Sequence, residues 1–325
     1  MSLTLAELYA SPAHYLHAFA DGAAVFVPMD AAAYRASVFL DDRIRPAGKG
    51  AMRVPLDMLL GHAPPPPDTT WIFHVAHCGS TLLANAIEAL GGGLVLREPL
   101  ALRQLALGEP LHEPALDVTL AMLAKRFDTG LPTLVKANVP VNFILDAIAA
   151  RQPQARAILL WLGLEDYLAA ILRSDNHRSW LRNVSSELAL RLGDPAGLSD
   201  AVLAARLWLG HSHAFARALE AMPHAAVLDA EHFFARPGEV LAAAARHLAI
   251  PAAPEAVSAL VAGELFTTYS KRPGIAFSNA ERLARRDAAR SEIAAEIAAA
   301  QDWLNGAGCD TDAISAVLKA RLLAI

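Results

Sequence analysis

Trp71-Ile-Phe-His-Val-Ala-His-Cys-Gly-Ser-Thr-Leu-Leu83 decides the fold of this 325-residue chain. It runs from an apolar strand, Trp71–Ala76, through a Gly-Ser-Thr turn into a helix over Leu82–Leu90. A helix start presents N–H groups without intrahelical acceptors and the positive end of its dipole, so a phosphate fits there. The hydroxyls of Ser80 and Thr81 add donors, and Gly79 lets the backbone approach closely. The same residues also read as a plain helix cap, a role that Ser and Thr favour. The stretch is not a Walker A loop, because GxxxxGK[ST] needs lysine where Ser80 stands, which argues against a plain ATPase.

Working outward, apolar runs alternate with helical periodicity: Leu94–Leu96, Thr133–Val135 and Ala157–Trp161 are each followed by a helical pattern. That alternation predicts an α/β fold of P-loop type, a three-layer α/β/α arrangement around a central, mostly parallel sheet. The C-terminal part reads as helix-rich: a helical stretch over 180–222, one more strand at Ala225–Leu228, a helix after Pro237 and alanine-rich helices to the end. The run Pro64–Pro67 cannot continue a helix and marks a boundary. Residues 1–67 read as a small N-terminal appendage with its Pro-rich linker, and 68–325 as the P-loop domain. The appendage holds an apolar run, Val25–Met29, a helix around Ala31–Val38 and a charged turn, Asp41-Asp42-Arg43.

A hydrophobic content of 54% lets a chain of this length bury a full core. The net charge of −5, from 28 basic and 33 acidic residues, carries no strongly basic stretch, so nucleic acid is not expected as a partner. Cys78 and Cys309 stand far apart, which excludes a disulfide framework and a cysteine zinc site of usual spacing. Neither a secretory pattern at the N-terminus nor an apolar run of membrane-spanning length is present, so a reducing, cytoplasmic setting without membrane contact is expected. His211 and His213 do not form an HExxH motif, and no metal is assigned.

His77-Cys-Gly-Ser-Thr-Leu-Leu83 resembles the 5′-phosphosulfate loop of sulfotransferases, which reads PKSGTTW in cytosolic enzymes and RSGTTLL or RSGSTLL in many bacterial ones. Four further segments agree in order. Leu94-Val-Leu-Arg-Glu-Pro99 is similar to the Glu-Pro segment of bacterial members. Leu134-Val-Lys-Ala-Asn-Val-Pro140 resembles the KTHLP strand end, and Ala226–Val240 resembles a late strand–loop–helix. Lys271-Arg-Pro-Gly274 resembles the basic RKG loop over the nucleotide's 3′-phosphate. Together they cover about residues 71–280, and only the first is specific by itself.

The resemblance implies a transferase that moves a sulfuryl group from 3′-phosphoadenosine 5′-phosphosulfate (PAPS) to a hydroxyl or amine of a small molecule or peptide. It implies that His77, Cys78, Gly79, Ser80, Thr81 and Leu82 hold the nucleotide's 5′ end, with Glu98 as base and His77 and Lys136 stabilising charge on the transferring group. The chain departs from the family in three places: His77 replaces the loop's lysine or arginine, Asn138 replaces the histidine base, and Leu162 and Ala170 stand where arginine and serine bind the 3′-phosphate. Arg173 and Ser174 lie close enough along the helix to substitute, with Lys271 and Arg272, for the missing contacts.

Each candidate has a plainer reading. His77 reads equally as a core histidine, Lys136 as a solvated strand end, and Glu98 as the ion-pair partner of Arg97. Arg173 and Ser174 read as a helix end, and Lys271 and Arg272 as a charged turn. Asp229 and Glu231 follow a strand and read as structural. Two other functions stay open: a phosphotransferase using ATP or GTP with magnesium, against which the missing Walker lysine stands, and an inert nucleotide-binding module that kept the fold.

Overall fold

All residues of Thr70–His74, Val95–Arg97, Leu134–Lys136 and Ala157–Trp161 are buried. Runs hidden on both faces are what a parallel sheet covered by helices demands. The computed structural model describes residues 3–67, 69–128, 130–269 and 272–325. In it the strands of the two larger sheets, in chain order, are β1 (His14–Ala20), β2 (Ala23–Pro28), β3 (Met52–Pro55), β4 (Thr70–His74), β5 (Val95–Arg97), β6 (Leu134–Lys136), β7 (Ala157–Trp161) and β8 (Ala225–Asp229), and Thr268–Tyr269 pairs with Arg272–Ala276 in a third, two-stranded one.

Strands β4 to β8 form one parallel five-stranded sheet in the order β5-β6-β4-β7-β8, flanked by helices, as the alternation predicts. β4 therefore sits at the centre. From it the chain crosses to the far edge at β5, returns through β6 to β4's side, and then builds β7 and β8 on the other flank. Such a reversal opens a crevice beyond the carboxyl ends of the strands, where open α/β sheets bind ligands. The register brings Ile72 of β4 and Arg97 of β5 opposite Lys136 of β6, so His74, Lys136 and Glu98 all emerge at that edge.

The N-terminal segment adds three strands that the sequence reading left out or blurred. β1, β2 and β3 pair antiparallel, and Ala31–Ala36 forms a short helix capped by Asp30. Leu16 and Phe26 from this sheet pack with Ala101, Val118 and Met122 from the helices Leu100–Leu107 and Glu113–Leu123, while Tyr15, Met29, Tyr34 and Leu40 join the cluster that contains β4. The Leu40 N–H donates to Arg97 O at 2.7 Å, and the Leu100 N–H to Leu40 O at 3.2 Å, so this segment borders the end of β5.

Among the described residues no helix is long and apolar enough to cross a membrane.

Candidate functional site

The loop after β4 turns through left-handed backbone at Ala76 (φ 73°), His77 (φ 50°) and Gly79 (φ 84°) before the helix Ser80–Ala89. L-residues avoid that region, so two non-glycine residues there in succession mark a backbone held by its surroundings. Gly79 is the N-cap, and no side chain caps this helix. Ser80 and Thr81 thus do not serve as the cap that their residue types suggested. By contrast, Asp30, Ser174, Ser199 and Ser278 each cap the helix that follows them. Thr81 is only 3% exposed, and its Oγ1 has no hydrogen-bond partner. A buried hydroxyl without a partner costs about 1–3 kcal/mol, a cost removed when an acceptor enters the loop. Ser80 and Leu82 are buried as well, and the Cys78 thiol faces Leu160 O at 3.9 Å, which leaves only its backbone for a ligand.

Beside the loop, Lys136 is fully buried, and its ammonium donates to the Glu98 carboxylate, whose side chain is 18% exposed. Glu98 stands at φ 56°, where β5 ends, and its N–H donates to Lys136 O at 2.7 Å. His74 Nε2 lies 3.2 Å from Lys136 Nζ, and its Nδ1 accepts the Ala76 N–H at 3.1 Å. The ends of three neighbouring strands are thereby joined to the start of the loop. Arg97 does not take Glu98 as its partner: it bonds Glu88 at 3.1 and 3.2 Å. Burial pushes the Glu88 carboxyl up and the Arg97 guanidinium down from their ordinary values, even though the two charges attract. Asn138, also buried, leaves its Oδ1 without a partner, a second polar atom at this edge that a ligand or water would satisfy.

From the N-terminal segment, the Phe39 ring lies under both cations, with Lys136 Nζ 5.6 Å and Arg43 Cζ 4.1 Å from its centroid. Residues 39–43 are therefore a wall of the Glu98–Lys136 site.

On the loop's other flank, His77 is half-buried against His177 and Trp180, which stand three residues apart on the helix Asp175–Glu187. Arg173 is exposed and donates from Nε to His177 Nδ1 at 3.1 Å. Ser174 caps the same helix, accepting the His177 N–H at 3.4 Å. Arg173 is thus one ring away from the loop, while the Ser174 hydroxyl is engaged in the cap.

A Cβ on Gly79 would come within 2.8 Å of Phe234 Cζ, so this ring covers the loop. Phe234 carries Arg282 Cζ at 4.3 Å on its face and Phe277 at 6.1 Å between centroids. Thr268–Tyr269 pairs with Arg272–Ala276, and the residues flanking these strands pack on neighbouring rings, Phe277 on Phe234 and Phe266 on Phe233. Lys271, the first residue of the basic loop expected from the sequence, lies outside the described residues. Arg282 and Arg286 both bond Glu231, each at 2.7 Å, and Arg290 bonds Asp166 at 2.7 Å. Burial holds the Asp166 carboxyl above the usual carboxylate range and outweighs both arginines.

Sequence reasoning missed His74, His177, Trp180, Phe234 and Arg282. His74 lies inside the quoted stretch, at a strand's end, where a polar residue in an apolar run was the available signal. The others reach the loop only through the fold.

No known family profile matches the sequence, and no curated protein matches it significantly. Solved structures similar to this chain include two sulfotransferases. One is a sulfotransferase domain from the curacin biosynthetic pathway, with 13% identity over 70% of this chain and 98% of that one, and a TM-score of 0.44. The other is a sulfotransferase from Alicyclobacillus acidocaldarius, also 13% identical, over 77% and 99% of the two chains, with a TM-score of 0.38.

Proposed function

We propose that this chain is a sulfotransferase that uses PAPS and passes the sulfuryl group to a hydroxyl or amine of a small molecule or peptide. The observation that carries the reading is the loop after β4: an uncapped helix start, left-handed backbone at Ala76, His77 and Gly79, and the buried, unpartnered Thr81 hydroxyl. These features suit the 5′-phosphate of a nucleotide. The ordered motifs from Glu98 to Lys271 support the sulfuryl donor over a nucleoside triphosphate, as does the absent Walker lysine.

PAPS would be held at its 5′ end by Gly79, Ser80 and Thr81, and it supplies an activated sulfuryl group. The chain's own residues do the rest. Glu98 takes the proton of the acceptor, and Lys136, in contact with Glu98, stabilises charge that develops on the transferring group. His77 supplies charge from the loop itself. The Asn138 amide has no useful basicity and serves as a hydrogen-bonding contact. Arg173, Lys271 and Arg272 are assigned to the 3′-phosphate, whereas Ser174 acts through its helix cap.

Thermal denaturation with adenosine 3′,5′-bisphosphate, ADP, ATP and GTP tests the reading. The bisphosphate is expected to raise the midpoint most, because a ligand bound only by the native state stabilises by mass action. A preference for ATP or GTP with magnesium overturns it in favour of a kinase. No shift with any nucleotide favours an inert module.

A further inference from the structure

His77 stands in the phosphate loop and stacks on His177, with ring centroids 4.0 Å apart and 35° between planes. Trp180 meets His77 edge-on at 5.2 Å, and Arg173 donates to His177 at 3.1 Å. Three groups able to carry positive charge therefore run outward from the loop. Two imidazolium rings at this spacing repel, so the pair resists full protonation until a counter-charge arrives. The helix start and the unpartnered Thr81 hydroxyl place that counter-charge beside His77.

We propose that His177 completes the anion site that His77 begins, and that the pair takes up a proton from solvent when a phosphate or sulfate group enters the loop. The inference rests on reading this loop as the 5′-phosphate cradle. It adds a binding residue, His177, and makes affinity for the nucleotide depend on pH. Imidazole titrates near neutrality, whereas a loop lysine stays charged throughout this range.

The surroundings decide the sign. Among the described residues, Arg173 donates to His177, and Asp175 and Arg178 flank His177 in the first turn of its helix, where Arg178 is held by Glu296 at 2.7 Å and Asp200 at 3.3 Å. On the sheet side the loop runs back to His74 and to Lys136, which Glu98 holds. The arginines and Lys136 disfavour protonation of the pair, and Asp175 favours it. The incoming anion adds negative charge at the loop, so binding draws the proton in.

Calorimetric titration with adenosine 3′,5′-bisphosphate, in buffers of different ionisation enthalpy between pH 6 and 9, tests this. Above pH 7 the ligand's phosphates are already dianionic, so proton uptake there belongs to the protein. Uptake approaching one proton per ligand is expected, with affinity falling about tenfold per pH unit once the free pair is neutral. His77→Lys is expected to bind without uptake and with flat pH dependence. His177→Phe, which keeps a stacked ring, is expected to bind at least threefold more weakly with less uptake. Binding by the wild type without uptake, or unchanged affinity and uptake in His177→Phe, overturns the inference and leaves the loop reading standing. No binding at any pH overturns both.

Discussion

Glu98 takes its hydrogen bond from Lys136, a fully buried residue on the neighbouring strand, and not from Arg97, its neighbour in sequence. The register of β5 on β6 creates this pairing by setting Arg97 opposite Lys136. With Glu98 at a left-handed φ of 56°, its carboxylate lies against the ammonium. The pair also explains why Lys136 is tolerated without exposure: a buried charge persists when it is paired and hydrogen-bonded.

Glu98→Gln tests the role of the carboxylate. The amide still accepts from Lys136 but no longer balances its charge, so stability is expected to fall, while in the folded protein nucleotide affinity holds and turnover drops by about 10²–10⁴-fold through loss of the base. Single-turnover kinetics alongside nucleotide titration checks this, and near-normal turnover removes Glu98 as the base. Lys136→Ala is expected to weaken both turnover and binding.

Gly79 faces two constraints, its φ of 84° and the Phe234 ring, whose Cζ would lie 2.8 Å from a Cβ placed there. Gly79→Val is expected to abolish nucleotide binding in calorimetry. The backbone conformation alone costs an L-residue about 1–2 kcal/mol. Phe234→Leu in the same chain should relieve the steric part and leave that backbone cost, a difference that chemical denaturation reads directly.

Lys125 ties the N-terminal segment down, donating to Leu8 O at 3.2 Å and to His14 O. Burial lowers its pKa from 10.5 to about 7. Between those two values the unfolded chain holds a proton that the folded chain lacks, so stability contributed by this group rises with pH across the window and the penalty is complete below it. The slope is at most about 1.4 kcal/mol per pH unit. Urea unfolding from pH 7 to 10 is expected to show the rise in the wild type and to lose that component in Lys125→Met. Equal slopes for the two proteins sink the assignment.

Glu231 accepts from Arg282 and Arg286 and so holds the helix Asn279–Glu292 beside Phe234 and the loop. These side chains are only partly buried, so the network is worth less than a buried pair, about 1–2 kcal/mol. Glu231→Gln is expected to speed hydrogen exchange in 279–292 by about 5–30-fold, with the central sheet unaffected. Unchanged protection of that helix counts against the latch.

The five parallel strands and the strand-to-helix turn after β4 were legible in the sequence because both are local. Each strand is a short apolar run that must be buried on both faces, and the loop is a strand, a glycine and two hydroxyl residues opening a helix. The N-terminal sheet was less legible, since His14–Ala20 mixes two histidines into its apolar residues and is buried only in part. Glu98 and Lys136 were chosen from motif order, yet their contact, and the addition of His74, follow from the strand order β5-β6-β4. His177, Trp180 and Phe234 reach the loop from positions 100 to 155 residues downstream of His77 or Gly79, and Arg282 lies on the Phe234 ring. No local period encodes such encounters. The sequence by itself determined where a helix start with adjacent hydroxyls opens, because those hydrogen-bond donors belong to neighbouring residues; the tertiary structure alone decided which charges surround it, because those side chains meet only after the sheet has closed its register and the helices have packed on it.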